Sequence, residues 1–429
     1  MRRFQVVFYG PFVIGKTDLS GDGRLLTDAI GIGVLTRVLH RDLVDEVLAR
    51  TGRTEQRKRL LPARVVVYLV LAMTLYANEA YEEVTRRLVH GLIGLKGWRT
   101  EWVVPTDGAI SQARTRLGAE PLKELFNRAA VPVARPGADS AFFAGKRVMA
   151  IDGVVLDVPD TPANAEAFGY SGKANTNRSA FPQVRVVTLS EVGTHATIGA
   201  DLDAISVGER TLAGEVIATY LDEDMLLLAD RGFYSYDMWV QATGTGADVL
   251  WRVSDTLELP VLRWLPDGSY LSEILPPKIK AAIKRTGRSA LGDATRIGVR
   301  VIEYMVQGRG GDTTTIRLVS TIDYDRGFAT PLAAVYAERW EHELIFDEIE
   351  THQMHPSKVL RSRTPELVKQ EIWAYLLTHY AIRVFMAEAA EDLGDDPDRI
   401  SFLRSIRVIR RQVDDQAGFS PLTPGPRHR

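Results

Sequence analysis

Between residues 147 and 253 the apolar residues change from helical spacing to short, dense runs, and this change constrains the fold more than any other feature. Arg147–Ile151 and Val154–Val158 read as strands flanking Asp152-Gly153, a dipeptide that predicts a hairpin turn. Gln183–Ser190 and His195–Ala200 give further strands, and Glu209–Leu221 a helix. Met225–Ala229 is a short, wholly apolar strand, Tyr234–Ala242 a helix and Val249–Val253 another strand. Strands in succession, followed by alternating helix and strand, predict an α/β fold built on a mixed sheet with flanking helices.

The segments on either side are different in kind. Leu35, Val38, Leu39, Leu43 and Val47 recur at helical spacing, and Pro62 opens an apolar helical run. Asp107–Leu117 and Pro121–Ala130 read as two short helices joined at Gly118, the first carrying Arg114 and Arg116. Such a pair fits a DNA-reading helix-turn-helix and fits an ordinary helical bundle as well. Pro132–Gly145, rich in Pro, Gly and Ala, reads as a linker. Strand signals return from Ser254 to Thr330, for example Ile297–Val306 and Thr314–Ile322, and long helices follow at Pro331–Glu350, Thr364–Glu391 and Asp398–Arg411. The expected organisation is a helical N-terminal domain over 1–131, a linker over 132–146 and the first part of an α/β core over 147–253. A β-rich insertion over 254–330, completion of the core over 331–392 and a basic C-terminal helix and tail over 393–429 follow.

The net charge of −2 conceals an uneven distribution. Residues 1–147 hold 23 Lys and Arg against 15 Asp and Glu, a net of +8, which leaves 30 against 40 and a net of −10 in the rest. Near the end the chain turns basic again, with Arg404, Arg407, Arg410 and Arg411. This suits a protein that grips phosphates at its ends and binds cations in its middle, and chance clustering of solvated charge accounts for it equally well. The absence of cysteine excludes a disulfide framework and thiolate metal sites, and fits a reducing compartment. The longest apolar run, Val65–Tyr76, is shorter than the ~20 residues a bilayer-spanning helix needs, so it reads as a buried helix. No export signal is evident, and the cytoplasm is the expected compartment.

Three carboxylates stand out. Asp152 and Asp230 each follow an apolar strand, where a rigid backbone can direct a side chain into a cleft; a turn and a helix cap are the competing readings. Glu343 lies in a helical stretch in which Tyr336, Arg339, Glu343 and Glu350 fall within a sector of about 60° at ~100° per residue. A solvated face with an Arg339–Glu343 ion pair is the plainer reading. Other sites find less support. A haloacid-dehalogenase phosphatase would need a second aspartate where Val154 stands, and His352-x-x-His355 lacks a nearby set of further zinc ligands.

Together these pieces resemble the bacterial insertion-sequence transposases of the DDE class, specifically the insertion-element-four family. The resemblance rests on Ala150-Ile-Asp152-Gly153, on Leu228-Ala-Asp230-Arg-Gly232-Phe-Tyr and on Tyr336-x2-Arg339-x3-Glu343. Leu61-Pro-Ala-Arg64, Ser111-Gln-Ala-Arg114-x-Arg116-Leu-Gly118 and Arg361-Ser-Arg363-Thr-Pro365 extend it to roughly residues 30 to 390. It implies an RNase H-like core, which the order of strands and helices also fits. It implies that Asp152, Asp230 and Glu343 are catalytic and bind two Mg²⁺ ions, for which Mn²⁺ can substitute. Tyr336, Arg339, Lys358, Arg114 and Arg116 are then the expected DNA contacts. The implied partners are double-stranded DNA, both the terminal inverted repeats of an element and target DNA, and a second copy in a DNA-bound homodimer associated with the nucleoid. Two places depart from the family pattern: Glu350 stands where its signature has lysine, with Lys358 as the nearest replacement, and Thr314–Arg317 lacks the tryptophan that some members carry there. A transposase-derived DNA-binding protein without catalysis is the alternative that Glu350 favours.

Overall fold

The computed structural model describes residues 32–55, 61–90, 104–173, 176–280, 296–307 and 313–414. A single ten-stranded sheet runs through it. The strands are β1 (Phe142–Phe143), β2 (Lys146–Asp157), β3 (Gln183–Glu191), β4 (Thr197–Ala204), β5 (Met225–Ala229), β6 (Asp248–Val253), β7 (Arg263–Trp264), β8 (Tyr270–Ile274), β9 (Ile297–Gln307) and β10 (Thr313–Ser320). Their order is β4-β3-β2-β5-β6-β10-β9-β8-β7, with β1 attached to β2. β2, β3 and β4 are antiparallel, β5 and β6 run parallel to β2, and β10, β9, β8 and β7 alternate again.

Parity along the strands separates two cores. On β2, Val148 and Ala150 pack with Leu226, Leu228 and Tyr336, whereas Met149 and Ile151 pack with Leu227, Ala229 and Trp239. The second face is covered by two helices, α7 (Glu209–Tyr220) and α8 (Tyr236–Gly244), and the first by the helix Ala329–Ala337. Burial from both faces is why Met225–Ala229 is apolar at every position instead of alternating. A third core joins the N-terminal helices to the long helix Pro365–Leu393 and the last helix, Phe402–Asp414. Within it Ala63–Leu75 is buried at every position except Arg64, so its uninterrupted apolar character reflects a central helix. Among the described residues no helix is long and apolar enough to cross a membrane.

One expectation is corrected. Asp152-Gly153 is not a hairpin turn: β2 runs through it, with Asp152 opposite Thr188 and Gly153 opposite Val187 on β3. The strands expected after residue 254 extend the central sheet: β10 pairs with β6 and carries β9, β8 and β7 onto it. The stretch 132–145 is fastened down, since the backbone N–H groups of Val133 and Ala134 donate to the buried Glu191 carboxylate at 3.2 and 2.8 Å. Arg147 pairs with the same carboxylate.

Candidate active site

The last paired residues of β2 and β5 are Ala150 and Leu228, and two steps further along both parallel strands stand Asp152 and Asp230. Neighbouring strands lie roughly 4.8 Å apart, so the register sets the two aspartates side by side. Both share strand parity with Val148, Ala150, Leu226 and Leu228, and therefore face the side of the sheet that holds Tyr336. β5 stops at Ala229 while β2 continues on β3 to Asp157, leaving a cleft at the carboxyl end of the parallel strands.

The third wall is a helical stretch that changes winding three times. The helix Ala329–Ala337 passes through a 3₁₀ turn, Glu338–Trp340, into the helix Glu341–Asp347 and then a π-turn, Glu348–Gln353. Tyr336 and Arg339, each 5% exposed, are turned into the cleft. The Tyr336 hydroxyl donates to Asp230 Oδ1 at 3.4 Å and lies 3.5 Å from the Ala229 carbonyl. Arg339 stands between the other two acids, 3.4 Å from Asp152 Oδ2 and 3.7 Å from Glu343 Oε1. His342, fully enclosed, anchors the stretch through a 3.0 Å hydrogen bond between its Nε2 and Thr188, the residue opposite Asp152.

The electrostatics match this geometry. Burial holds the Asp152 carboxyl above the usual range, opposed by the Gly153 N–H and by Arg339, and assisted by the charges of Glu209 and Glu343. Burial also raises the Tyr336 hydroxyl, which stays protonated and able to donate. His342 is pushed down to about 3, first by burial and then by Arg339, so it is neutral.

Of the residues singled out in the sequence, Asp152, Asp230, Glu343, Tyr336 and Arg339 meet here. Arg114 does not, and its reading as a DNA contact is overturned. It is 1% exposed, and its guanidinium donates to Gln370 at 2.9 Å, Ser362 at 2.9 Å and Tyr81 at 3.1 Å. Its place in the Asp107–Leu117 helix makes it a fastener onto the long helix. Arg116, two residues on, is exposed. Glu350 leaves the face of Glu343, because the changes of winding break the regular 100° step; it pairs with Lys358 at 3.0 Å. Arg252 was not singled out, yet its Nη1 lies 3.5 Å from Asp230 Oδ1. A charged residue inside the otherwise apolar Val249–Val253 was the available signal.

The three acids present only oxygen donors, as a hard divalent cation such as Mg²⁺ requires. Their ionic contacts at 3.4–3.7 Å are longer than the ~2.7–2.9 Å of strong charge-assisted hydrogen bonds, so the three acids are not locked in tight ion pairs, although Asp152 Oδ1 accepts from the Gly153 N–H at 2.8 Å. A second group, His195, Glu341 and Asp398, also gathers three ligand atoms within 4.8 Å. There Arg383 donates to His195 Nδ1 at 2.5 Å, which puts the imidazole proton on Nε2, between the two carboxylates at 3.3 and 3.2 Å. That proton holds the place a cation would need, so this cluster is a hydrogen-bonded clasp.

Residues 143–380, more than half of the chain, match the family model of the transposase DDE domain, and residues 29–127 match that of the insertion element 4 transposase N-terminal region. Transposase InsG for insertion sequence element IS4, from Escherichia coli K12, is 29% identical over 386 residues, 89% of this chain and 83% of InsG. Among solved structures, the piggyBac transposase synaptic complex with hairpin DNA is similar at a TM-score of 0.48 and 9% identity, covering 88% of this chain and 79% of that one. A likeness of that size carries no argument by itself.

Proposed function

Since the chain belongs to the insertion element 4 family of DDE transposases, we propose that it cuts the ends of a mobile element and joins their 3′-ends to target DNA. The observation that supports this reading is that Tyr336 reaches Asp230 while Arg339, on the same helical stretch, reaches both Asp152 and Glu343. We read the run β4-β3-β2-β5-β6 as an RNase H-like core, its first three strands antiparallel and the next two parallel to β2. Asp152, Asp230 and Glu343 would hold two Mg²⁺ ions, or Mn²⁺ in their place, which when bound activate the attacking oxygen and stabilise the leaving one. Tyr336 orients Asp230, and Arg339 offsets the repulsion between Asp152 and Glu343 by pairing with both. Both side chains face the cleft that a scissile phosphate must enter. Exposed Arg116 supplies a cation to the duplex, Lys358, paired with Glu350, is a second candidate, and two copies bridging two element ends are the expected assembly.

Asp152→Asn, Asp230→Asn and Glu343→Gln should each abolish Mg²⁺-dependent nicking of element-end DNA and leave binding of the same duplex within about threefold of wild type, since each change is isosteric and at most one phosphate contact is altered. Nicking that persists in any one of them removes that residue from the site. Glu350 favoured a binding protein without catalysis, but its charge is neutralised by Lys358, so no net repulsion of phosphate is left at that position.

A further inference from the structure

We propose that His342 is a positioning residue of the acid cleft: it holds the Arg339 guanidinium back from Asp152 and Glu343, so that their oxygens stay open to a cation. This deepens the reading that those acids bind a cation, and rests on it.

Arg339 does not close on its two acidic partners. A guanidinium between two carboxylates ordinarily forms charge-assisted bonds of ~2.7–2.9 Å. Arg339 stops 3.4 Å from Asp152 and 3.7 Å from Glu343, although it is buried where little water competes for it. Its Nε is buried too and has no hydrogen-bond partner among the described residues. The same holds for Nδ1 of His342, three residues further along the stretch. Arg339 lies in the 3₁₀ turn Glu338–Trp340, a winding that brings residues i and i+3 into line. Of the charges that act on the His342 ring, that of Arg339 acts most strongly. Two enclosed polar atoms without partners are thus set along one edge of the stretch that carries Glu343.

The other side of the ring is fixed. Nε2 lies 3.0 Å from the Thr188 hydroxyl, and Thr188 stands opposite Asp152 on β3. A guanidinium can only donate. With the ring proton on Nδ1, two donors would be buried together and both left unmet. With the proton on Nε2, the ring donates to Thr188 and offers the Nδ1 lone pair to Arg339 Nε–H, directly or through one bridging water. The contacts then run from Thr188 through His342 and Arg339 to Asp152, and the β2–β3 pairing closes the circuit. A buried histidine bonded to a threonine has an ordinary explanation as a fastener of packing. That explanation covers Nε2 and says nothing about Nδ1, Arg339 Nε or the long distances to the acids. An arginine released from behind would close on Asp152 and Glu343 and contend with a cation for the same oxygens.

The test is titration of the full-length protein with Mn²⁺ alone, without DNA, followed by paramagnetic resonance of the free ion. His342→Phe keeps a ring and removes both nitrogens, and should weaken Mn²⁺ binding roughly tenfold, as loss of a supporting group does at other metal sites. His342→Gln carries both a donor and an acceptor and should restore most of that affinity. In an Arg339→Gln background His342→Phe should have no further effect, because no guanidinium is left to restrain. A purely structural histidine would instead cost the same factor in both backgrounds, and that result overturns the proposal. Wild-type affinity in His342→Phe, together with loss of binding in Asp152→Asn, overturns it as well and leaves the three-acid site standing. If His342→Phe does not fold, Thr188→Val, which frees the ring from β3, is titrated in the same two backgrounds with the same expectations. Nitrogen resonance spectra of the histidine-labelled protein read the ring directly: a proton on Nδ1 of His342 overturns the proposal, and one on Nε2 is expected. Wild-type affinity in Asp152→Asn would instead remove the cation site itself.

Discussion

His195 and Asp398 show how single residues behind the cleft govern stability. His195 is 2% exposed and adopts a left-handed backbone conformation at φ 56°. It is held between Arg383 on the long helix and the carboxylates of Glu341 and Asp398. Burial pushes the Asp398 carboxyl up to about 6, with His195 opposing and Glu341 and Asp396 adding to the rise. A folded value above the unfolded one gives stability that is complete at low pH and is lost as pH rises through about 6. Asp398→Asn, which cannot ionise and can still accept from His195, should therefore melt higher than wild type at pH 8. The difference should shrink as pH falls towards 5, and a melting series across that range checks it. At this scale the sequence was legible where spacing carried the message. Asp152, Asp230, Tyr336, Arg339 and Glu343 were singled out by apolar runs, one helical face and above all the family resemblance, and the fold joins them through Tyr336 and Arg339. Arg114 and Arg252 could not be placed, because which partner encloses an arginine depends on residues brought together only by the fold.

Among the elements, the acidic helical stretch departs most from regularity, and the position of Glu350 is the result. A regular helix would have kept Glu350 on the face of Glu343, but the π-turn at Glu348–Gln353 begins between them, and Glu350 pairs with Lys358, whose backbone is left-handed at φ 55°. Glu350→Lys removes that pairing and frees Lys358 as a second cation. Affinity for element-end DNA should rise, and the slope of log affinity against log salt should steepen by about 0.9 for each additional phosphate neutralised. An unchanged slope in a filter-binding or anisotropy titration places both residues off the DNA path. The strand Met225–Ala229 was readable in full because every residue is buried on both faces. The turn expected at Asp152-Gly153 was misread for a physical reason: glycine usually signals a turn, and here it signals a close approach by another side chain.

For the whole molecule, the N-terminal helices and the sheet are not independent. Phe126 and Trp373 have ring centroids 5.3 Å apart, Thr74 and Thr378 share a 2.8 Å hydrogen bond, and one buried cluster includes residues from Ile32 to Val413. A chain beginning at Lys146 would leave the apolar flank of the long helix bare. It should elute as an aggregate or bind a hydrophobic dye strongly, in contrast to the full chain on the same gel-filtration column. This joining of ends was not legible beforehand, because contacts between segments so distant in the chain leave no mark on local periodicity.

The far border of the sheet has its own consequence. β7 is only two residues long, Arg263 and Trp264, and Pro260 and Pro266 flank it closely. Proline has no amide hydrogen to offer a further strand, and a charged, abbreviated border gives a visiting chain little to copy. So broad a sheet would otherwise be a template for fibre growth in a crowded cell. With this border, a second copy meets few free amide donors along which to add a strand.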